Sequence, residues 1–342
     1  MDFARIFKEI ARAAGGRDMF GDIETELDTA IAAYWSMASV ILRGSSINLA
    51  PLVSDYASLE KNFFSALFLY SYRRAGISRP RRILYATINQ ALRGLVTGCD
   101  NILDDEYKPT LETDLPAGAA RFRSIIDMLV SDRVIFEVLT DGAAKGELTN
   151  AQAVEASRAT LGALALSGAQ EASEEHGIAE ILTPDAILAR VHHYKTGILF
   201  QAPWAVPAII EGRLPSGAVQ LKDALYNVGM GCQIIDDMVD MPIDIKRRRH
   251  NYAVSSVLHG TSPEERGRLV ALRQIGAKLD ASAPVLLDLP LARVACAGKA
   301  YELLRAGLDR LFADEDAMFV EPAIRFLVNR LSAGRLMTGV AL

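Results

Sequence analysis

Apolar residues recur at spacings of three and four along most of the chain, and strict alternation of apolar and polar residues is missing. This pattern predicts helices over 22–42, 59–74, 83–104, 118–140, 151–170, 184–212, 217–240, 263–279, 293–312 and 316–333. The breaks fall at glycine, proline and serine. Two helix starts carry the expected chemistry: Thr183 before Pro184 and Asp185, and Ser262 before Pro263, Glu264 and Glu265. Segments 62–70 and 198–210 are apolar nearly all round, so they belong inside the protein. With short connectors and no fixed-period repeat, the prediction is an all-α fold. It is a single domain over 1–342, a helical bundle with a central apolar cavity, and 1–20 form a peripheral N-terminal helix.

Composition narrows the function classes. Against 42 acidic residues stand 37 basic ones, a formal net charge of −5, so no basic excess points to nucleic acid. The three cysteines, Cys99, Cys232 and Cys296, are far apart and form no CxxC pair. Such sparse usage fits a reducing, cytoplasmic setting and excludes a cysteine zinc site. The most apolar stretch, 198–210, contains Gln201 and two prolines and falls short of the ~20 residues that span a bilayer. The opening residues mix acids and bases and lack the apolar core of a signal peptide.

Two acidic clusters stand out. Asp100 and Asp104 end a long apolar helix and share one face, because four residues make about one turn. Their mutual repulsion and the negative end of the helix dipole both oppose this arrangement. Either it is a solvated acidic helix end, or a cation is held there. Asp236 and Asp240, with Asp237 beside them, repeat the device 136 residues later, again after an apolar helix. The repetition favours a cation. Carboxylates without histidine or cysteine suit Mg²⁺, which takes one or two of them and completes its shell with water and phosphate oxygens. Basic residues placed to meet a phosphate are Lys195, next to Thr196, and the run Lys246, Arg247, Arg248 and Arg249. The alternatives are a snorkelling lysine and a solvated basic loop.

These residues resemble the trans-isoprenyl diphosphate synthases, within the class I isoprenoid (terpene) synthase superfamily. DNILD, from Asp100 to Asp104, resembles the first DDxxD motif of that family, with Asn101 replacing its second aspartate. QIIDDMVD, from Gln233 to Asp240, resembles the second, and YKTG, from Tyr194 to Gly197, its Lys-Thr element. SGAQEA (Ser167 to Ala172) resembles its glutamine-bearing helix, and FLVNRLS (Phe326 to Ser332) its last helix. The resemblance implies an all-α fold and a homodimer. It also implies three Mg²⁺ ions on a prenyl diphosphate substrate, held by Asp100, Asp104, Asp236 and Asp240. Asp237 and Lys195 join these as catalytic candidates. The diphosphate would meet Lys195, Thr196, Gln233, Lys246, Arg247, Arg248 and Arg249. Leu95 and Val96 stand where aromatic residues shorten the hydrocarbon pocket in the family, and Phe63 and Phe64 could floor it, so a C15 or C20 substrate is expected.

Departures from the family pattern bear on the reaction. Where chain-elongating members carry Gly-Lys-Arg, this chain has Glu60, Lys61 and Asn62; where they carry Arg-Arg after the first motif, it has Lys108 and Pro109. A second diphosphate, that of isopentenyl diphosphate, needs several cationic donors. Arg93 is a candidate to have moved in. The sequence alone therefore favours a terpene synthase or cyclase, which needs one diphosphate site. The alternative is a trans-prenyltransferase that adds isopentenyl diphosphate, and the intact second motif supports it. A non-catalytic helical partner or scaffold is the third class.

Overall fold

The computed structural model describes residues 19–339 apart from 54, 55, 57 and 215. The expected peripheral helix over 1–20 therefore lies outside the described residues except at its last two positions, which begin the first described helix. Among the described residues there is no strand; a lone antiparallel bridge pairs Leu49 with Thr113. The helices gather into two compact units. One comprises the described residues up to Leu164 together with Pro203–Ala218, the other Ala165–Ala202 and the residues from Val219 onward.

In the first unit, α1 (Met19–Leu42), α2 (Phe63–Arg74), α3 (Arg79–Asp104) and α4 (Ala120–Ala144) form the core, with α3 packed against the other three. Leu27, Ile31, Tyr34 and Ala38 of α1 and Val130, Val134 and Ile135 of α4 are buried, following the helical period of the sequence. Gly94 lets α3 and α4 approach closely: a Cβ there would fall 2.1 Å from Ser131 Oγ. Tyr34 of α1 and Ser131 of α4 share a buried hydrogen bond of 2.9 Å beside this approach. The apolar segment 62–70 is interior as expected, with Phe63, Ala66, Leu67, Leu69 and Tyr70 all buried.

The second unit begins in α5 (Asn150–Ser173), which spans the boundary. It continues through α6 (Ala218–Val239), α7 (Met241–Arg247), α8 (Tyr252–Leu258), α9 (Pro263–Ile275), α10 (Pro290–Leu311) and α11 (Val320–Arg330). Val228, Ile234, Ile235, Val254, Leu304, Leu308, Ile324 and Leu327 build its core. Ser262 caps α9 by accepting from Glu265 N, and Thr183 accepts from Ala186 N, as the sequence predicts.

The segment 184–212, expected as one helix, is broken. A short turn, Pro184–Ala186, leads into a π-helical stretch, Ile187–Gly197, then α-helix over Ile198–Gln201, a 3₁₀ turn over Ala202–Trp204 and a last helix, Ala205–Ile210. Pro203 and Pro207 supply no N–H, so the ladder lacks the bonds that would join Ala205–Ile210 to a continuous α-helix before it. Helices α7 and α8 were missed because seven residues are too few to show a period. Asn251 marks the start of α8, its side chain accepting from Val254 N at 3.0 Å.

Candidate active site

In the first unit, Asp100 is exposed and Asp104 half-buried, both on the last turn of α3. Asp105 ends the helix in the left-handed conformation, φ 56°. Asn101, the departure from the DDxxD pattern, is buried and holds the returning chain. Its Nδ2 donates to Lys108 O at 3.0 Å and its Oδ1 accepts from Lys108 N at 2.9 Å. An amide provides a donor and an acceptor at once; an aspartate would offer only acceptors. The substitution thus fixes the loop behind the acidic turn and leaves Asp100 and Asp104 in place.

Around this turn the basic residues are engaged. Lys108 Nζ pairs with Glu106. Lys61 lies two residues before the start of α2 and is exposed. Asn62 is buried and donates to Tyr56 O and Ser58 O, while its Oδ1 accepts from Arg93 Nη1 at 2.7 Å. Arg123 lies 4.4 Å over the Tyr107 ring, and its Nε is buried without a hydrogen-bond partner. Asp127, which the sequence did not single out, is buried; burial pushes its carboxyl up to about 6, though Thr110 donates to it through Oγ1 and N. Leu95 and Val96 are half-buried on α3, Phe63 is buried and Phe64 half-buried on α2.

In the second unit the structure gathers the Lys-Thr element, the second acidic motif and the glutamine-bearing helix. Gly197 allows the π-helical stretch to lie against α6: a Cβ there would meet Tyr226 Cε2 at 2.3 Å. Thr196 Oγ1 donates to Gln233 Oε1, and Gln233 Nε2 donates to Asp237 Oδ1 at 3.0 Å and to Asp236 Oδ2 at 3.3 Å. Lys195 Nζ pairs with Glu171 Oε1 at 3.0 Å, and Ser167 Oγ donates to Lys195 O. Burial pulls the Lys195 ammonium down, but Glu171, Asp244 and Asp237 hold it above the ordinary lysine range.

The three aspartates of the second motif separate into two environments. Asp237 is buried and accepts from His192 Nε2 at 2.9 Å, from Gln233 Nε2 and from Tyr252 N. Burial pushes its carboxyl up, yet these donors hold it below the usual carboxylate range. It is the hub that ties the π-helical stretch, α6 and α8. Asp236 and Asp240 lie one turn apart, and Asp244, one turn further, continues their face into α7. Burial and then Asp240 push Asp236 up to about 7; burial and then Asp237 push Asp244 up to about 8. Asp244 was not identified from the sequence, although its spacing of four from Asp240 was there to be read. Asn251 Nδ2 bonds Asp244 Oδ2 at 2.8 Å and Asp237 O at 2.7 Å, fixing both.

The basic run is divided by its backbone. Arg248 is left-handed, φ 57°, and ends α7; its guanidinium donates to Ile178 O at 2.9 Å. Lys246 lies two residues, about 200° of helix, from Asp244, so it faces away from that aspartate, whereas Arg249 lines a small cavity with Asp244. His250, next in line, binds Glu174 through both N and Nδ1.

Among the described residues no three His, Cys, Asp or Glu side chains converge as a ready-made metal cage. The donor set still fits a hard cation. Asp236 and Asp244 carry carboxyls that their surroundings destabilise as anions, and Mg²⁺ uses one or two carboxylates with waters and phosphate oxygens rather than a full protein cage.

The family model described as Polyprenyl synthetase matches residues 125–250, which hold the Lys-Thr element, the second acidic motif and the basic run. Among solved structures, the chain is similar to the octaprenyl pyrophosphate synthase of Helicobacter pylori, with TM-score 0.59 and 14% identity over 89% of this chain and 99% of that one. It is also similar to the decaprenyl diphosphate synthase of Rhodobacter capsulatus (TM-score 0.56, 18% identity, 91% and 99% covered). A third is the geranylgeranyl pyrophosphate synthetase of the archaeon Geoglobus acetivorans (TM-score 0.54, 17% identity, 95% and 98% covered). No curated protein matches the chain in sequence. The expected all-α fold and the resemblance to the prenyl diphosphate synthases are thereby borne out.

Proposed function

We propose that this chain, which carries the prenyl diphosphate synthase fold and the polyprenyl synthetase signature, is a Mg²⁺-dependent trans-prenyltransferase. It ionises an allylic prenyl diphosphate and joins the resulting carbocation to isopentenyl diphosphate, releasing inorganic diphosphate. Asp100 and Asp104 of the first unit, and Asp236, Asp240 and Asp244 of the second, are the residues that would hold Mg²⁺. When bound, Mg²⁺ neutralises the diphosphate leaving group. Lys195 is positioned by Ser167 and Glu171, and Thr196 by Gln233, to bind that diphosphate. Half-buried Leu95 and Val96, neither aromatic, favour a C15 or C20 substrate.

The sequence alone favoured a cyclase, because position 62 has lost its arginine. The observation that supports the transferase is the bond from Arg93 to Asn62, which brings a guanidinium from another helix to the side chain at position 62. The family match and the printed activities of the similar structures support the same choice. The cyclase keeps one observation in its favour, the pairing of Lys108 with Glu106, which takes a cation from the second diphosphate.

A stripe of exposed apolar residues on α4, Phe122 (49%), Leu129 (58%) and Phe136 (51%), repeats every seven residues and supports a homodimer through this helix. Its free cysteines, Cys99, Cys232 and Cys296, support a reducing cytoplasmic setting. Among the described residues no helix is long and apolar enough to cross a membrane.

The deciding experiment is incubation of farnesyl diphosphate and Mg²⁺ with and without isopentenyl diphosphate. A longer prenyl diphosphate, formed only with isopentenyl diphosphate, is the expected result. A hydrocarbon or alcohol formed from the allylic substrate alone would replace the transferase by the cyclase. No turnover, and no calorimetric binding of Mg²⁺ with diphosphate, would leave a helical partner protein.

A further inference from the structure

Part of the basic run borders a second cleft. Lys246 and Arg248 line a concave cleft of about 530 Å³ with Arg273 and Gln274 from the end of α9. No Asp or Glu lines it among the described residues, so three cations share one cleft whose own lining offers no carboxylate. Such a grouping is unfavourable by itself and favourable around an anion. The floor is apolar: Ile245 is buried beneath it, and Val270, one helical turn before Gln274, is exposed at 51%. The backbone fixes the position of Arg248. Arg248 is left-handed, its carbonyl accepts from Ile178 N at 2.8 Å, and its side chain bonds Ile178 O. A smaller cavity of about 20 Å³, room for one water, shares Arg248 and Arg273 with the cleft and reaches Asp244. The two arginines therefore border both the cleft and the cavity that reaches Asp244.

We propose that this cleft is a second, metal-independent binding site for an amphiphilic phosphate: a phosphate or diphosphate ester whose head meets Lys246, Arg248 and Arg273 and whose hydrocarbon lies on Ile245 and Val270. It rests on the prenyl diphosphate reading only for the identity of the natural ligand; the cleft and its charge do not depend on it. A soluble prenyl phosphate and an anionic lipid headgroup share this chemistry.

The test is calorimetric titration with decyl phosphate in EDTA, where Mg²⁺-dependent binding is silent. Saturable binding of one decyl phosphate per chain is expected, weakened at least tenfold in Arg273→Glu and in Val270→Asp and largely kept in Arg273→Lys. Mg²⁺-dependent turnover of Arg273→Glu should stay within about twofold of the parent. Sedimentation with phosphatidic acid vesicles identifies the source: pelleting that Arg273→Glu abolishes assigns the site to lipid headgroups, and binding of decyl phosphate alone assigns it to soluble esters. Absence of decyl phosphate binding, or equal affinity in the parent and Arg273→Glu, overturns the proposal. Because this readout needs no catalysis, a chain without turnover still gives a definite answer.

Discussion

Arg93 Nη1 and Asn62 Oδ1 lie 2.7 Å apart, joining α3 to the start of α2. If this guanidinium holds the second diphosphate, Arg93→Ala should raise the KM for isopentenyl diphosphate at least tenfold. The KM of the allylic substrate should change less than threefold. A charge-assisted contact is worth ~1.5–3 kcal/mol, which sets that scale. Arg93→Lys should recover part of the loss, since lysine keeps the charge without the fork. Steady-state kinetics with each substrate varied in turn checks this.

Removal of Lys195 tests the other diphosphate. Lys195→Ala should weaken binding of Mg²⁺ and inorganic diphosphate at least tenfold by calorimetry. Asp236→Ala should raise the Mg²⁺ concentration needed for half-maximal turnover and lower the maximum. Unchanged Mg²⁺ dependence would remove Asp236 from the metal-holding set.

The metal-free protein should lose stability as pH rises. Asp236 and Asp244 titrate near 7 and 8 when folded, above the ~3.9 of an exposed aspartate. Between about pH 4 and 8 the folded state therefore holds protons that the unfolded state releases, and their stabilising effect disappears as pH climbs through 7 and 8. In EDTA the melting temperature should be higher at pH 6 than at pH 8.5. Mg²⁺ with diphosphate should raise it most at the alkaline end. A flat profile in EDTA would mean that neither carboxyl is perturbed.

His192 and Asp237 should behave as a buried pair. His192→Leu leaves the Asp237 carboxylate short of a donor and should cost about 3–5 kcal/mol of stability. The double variant His192→Leu with Asp237→Leu should be less unstable than the sum of the single ones. Denaturant unfolding of all four proteins reads the coupling directly.

The apolar stripe on α4 predicts assembly. Leu129→Asp with Phe136→Asp should shift the protein to a monomer by light scattering and leave its far-ultraviolet spectrum unchanged. A monomer in the parent protein would remove the dimer.

Most of the helices could be read from the sequence, because long amphipathic segments such as 83–104 state their period many times over. The site residues were legible where chemistry made an arrangement costly: Asp100 with Asp104, and Asp236 with Asp240, repel each other along one face. What escaped lies past a break in the helix or depends on tertiary packing. Asp244 falls past a proline, where a continuing helix face is not expected. The partnership of His192 with Asp237 spans 45 residues and depends on tertiary packing; Arg93 is a candidate from the sequence, but its bond to Asn62, 31 residues away, is not legible there. The break in 184–212 was signalled by Pro203 and Pro207, but their effect was masked by the strong apolar content around them.

The π-helical stretch Ile187–Gly197 makes this part of the chain sensitive to length more than to identity. Its wide turns accommodate residues that an α-helix of the same span would have to expel. Exposed Ala189 and Arg190 can be exchanged for other side chains at little cost. Deleting either one would shift the register of everything that follows by one residue. Thr196 would then turn from Gln233 and Lys195 from Glu171, so a single missing codon upstream of the Lys-Thr element should be as damaging as the loss of the lysine itself.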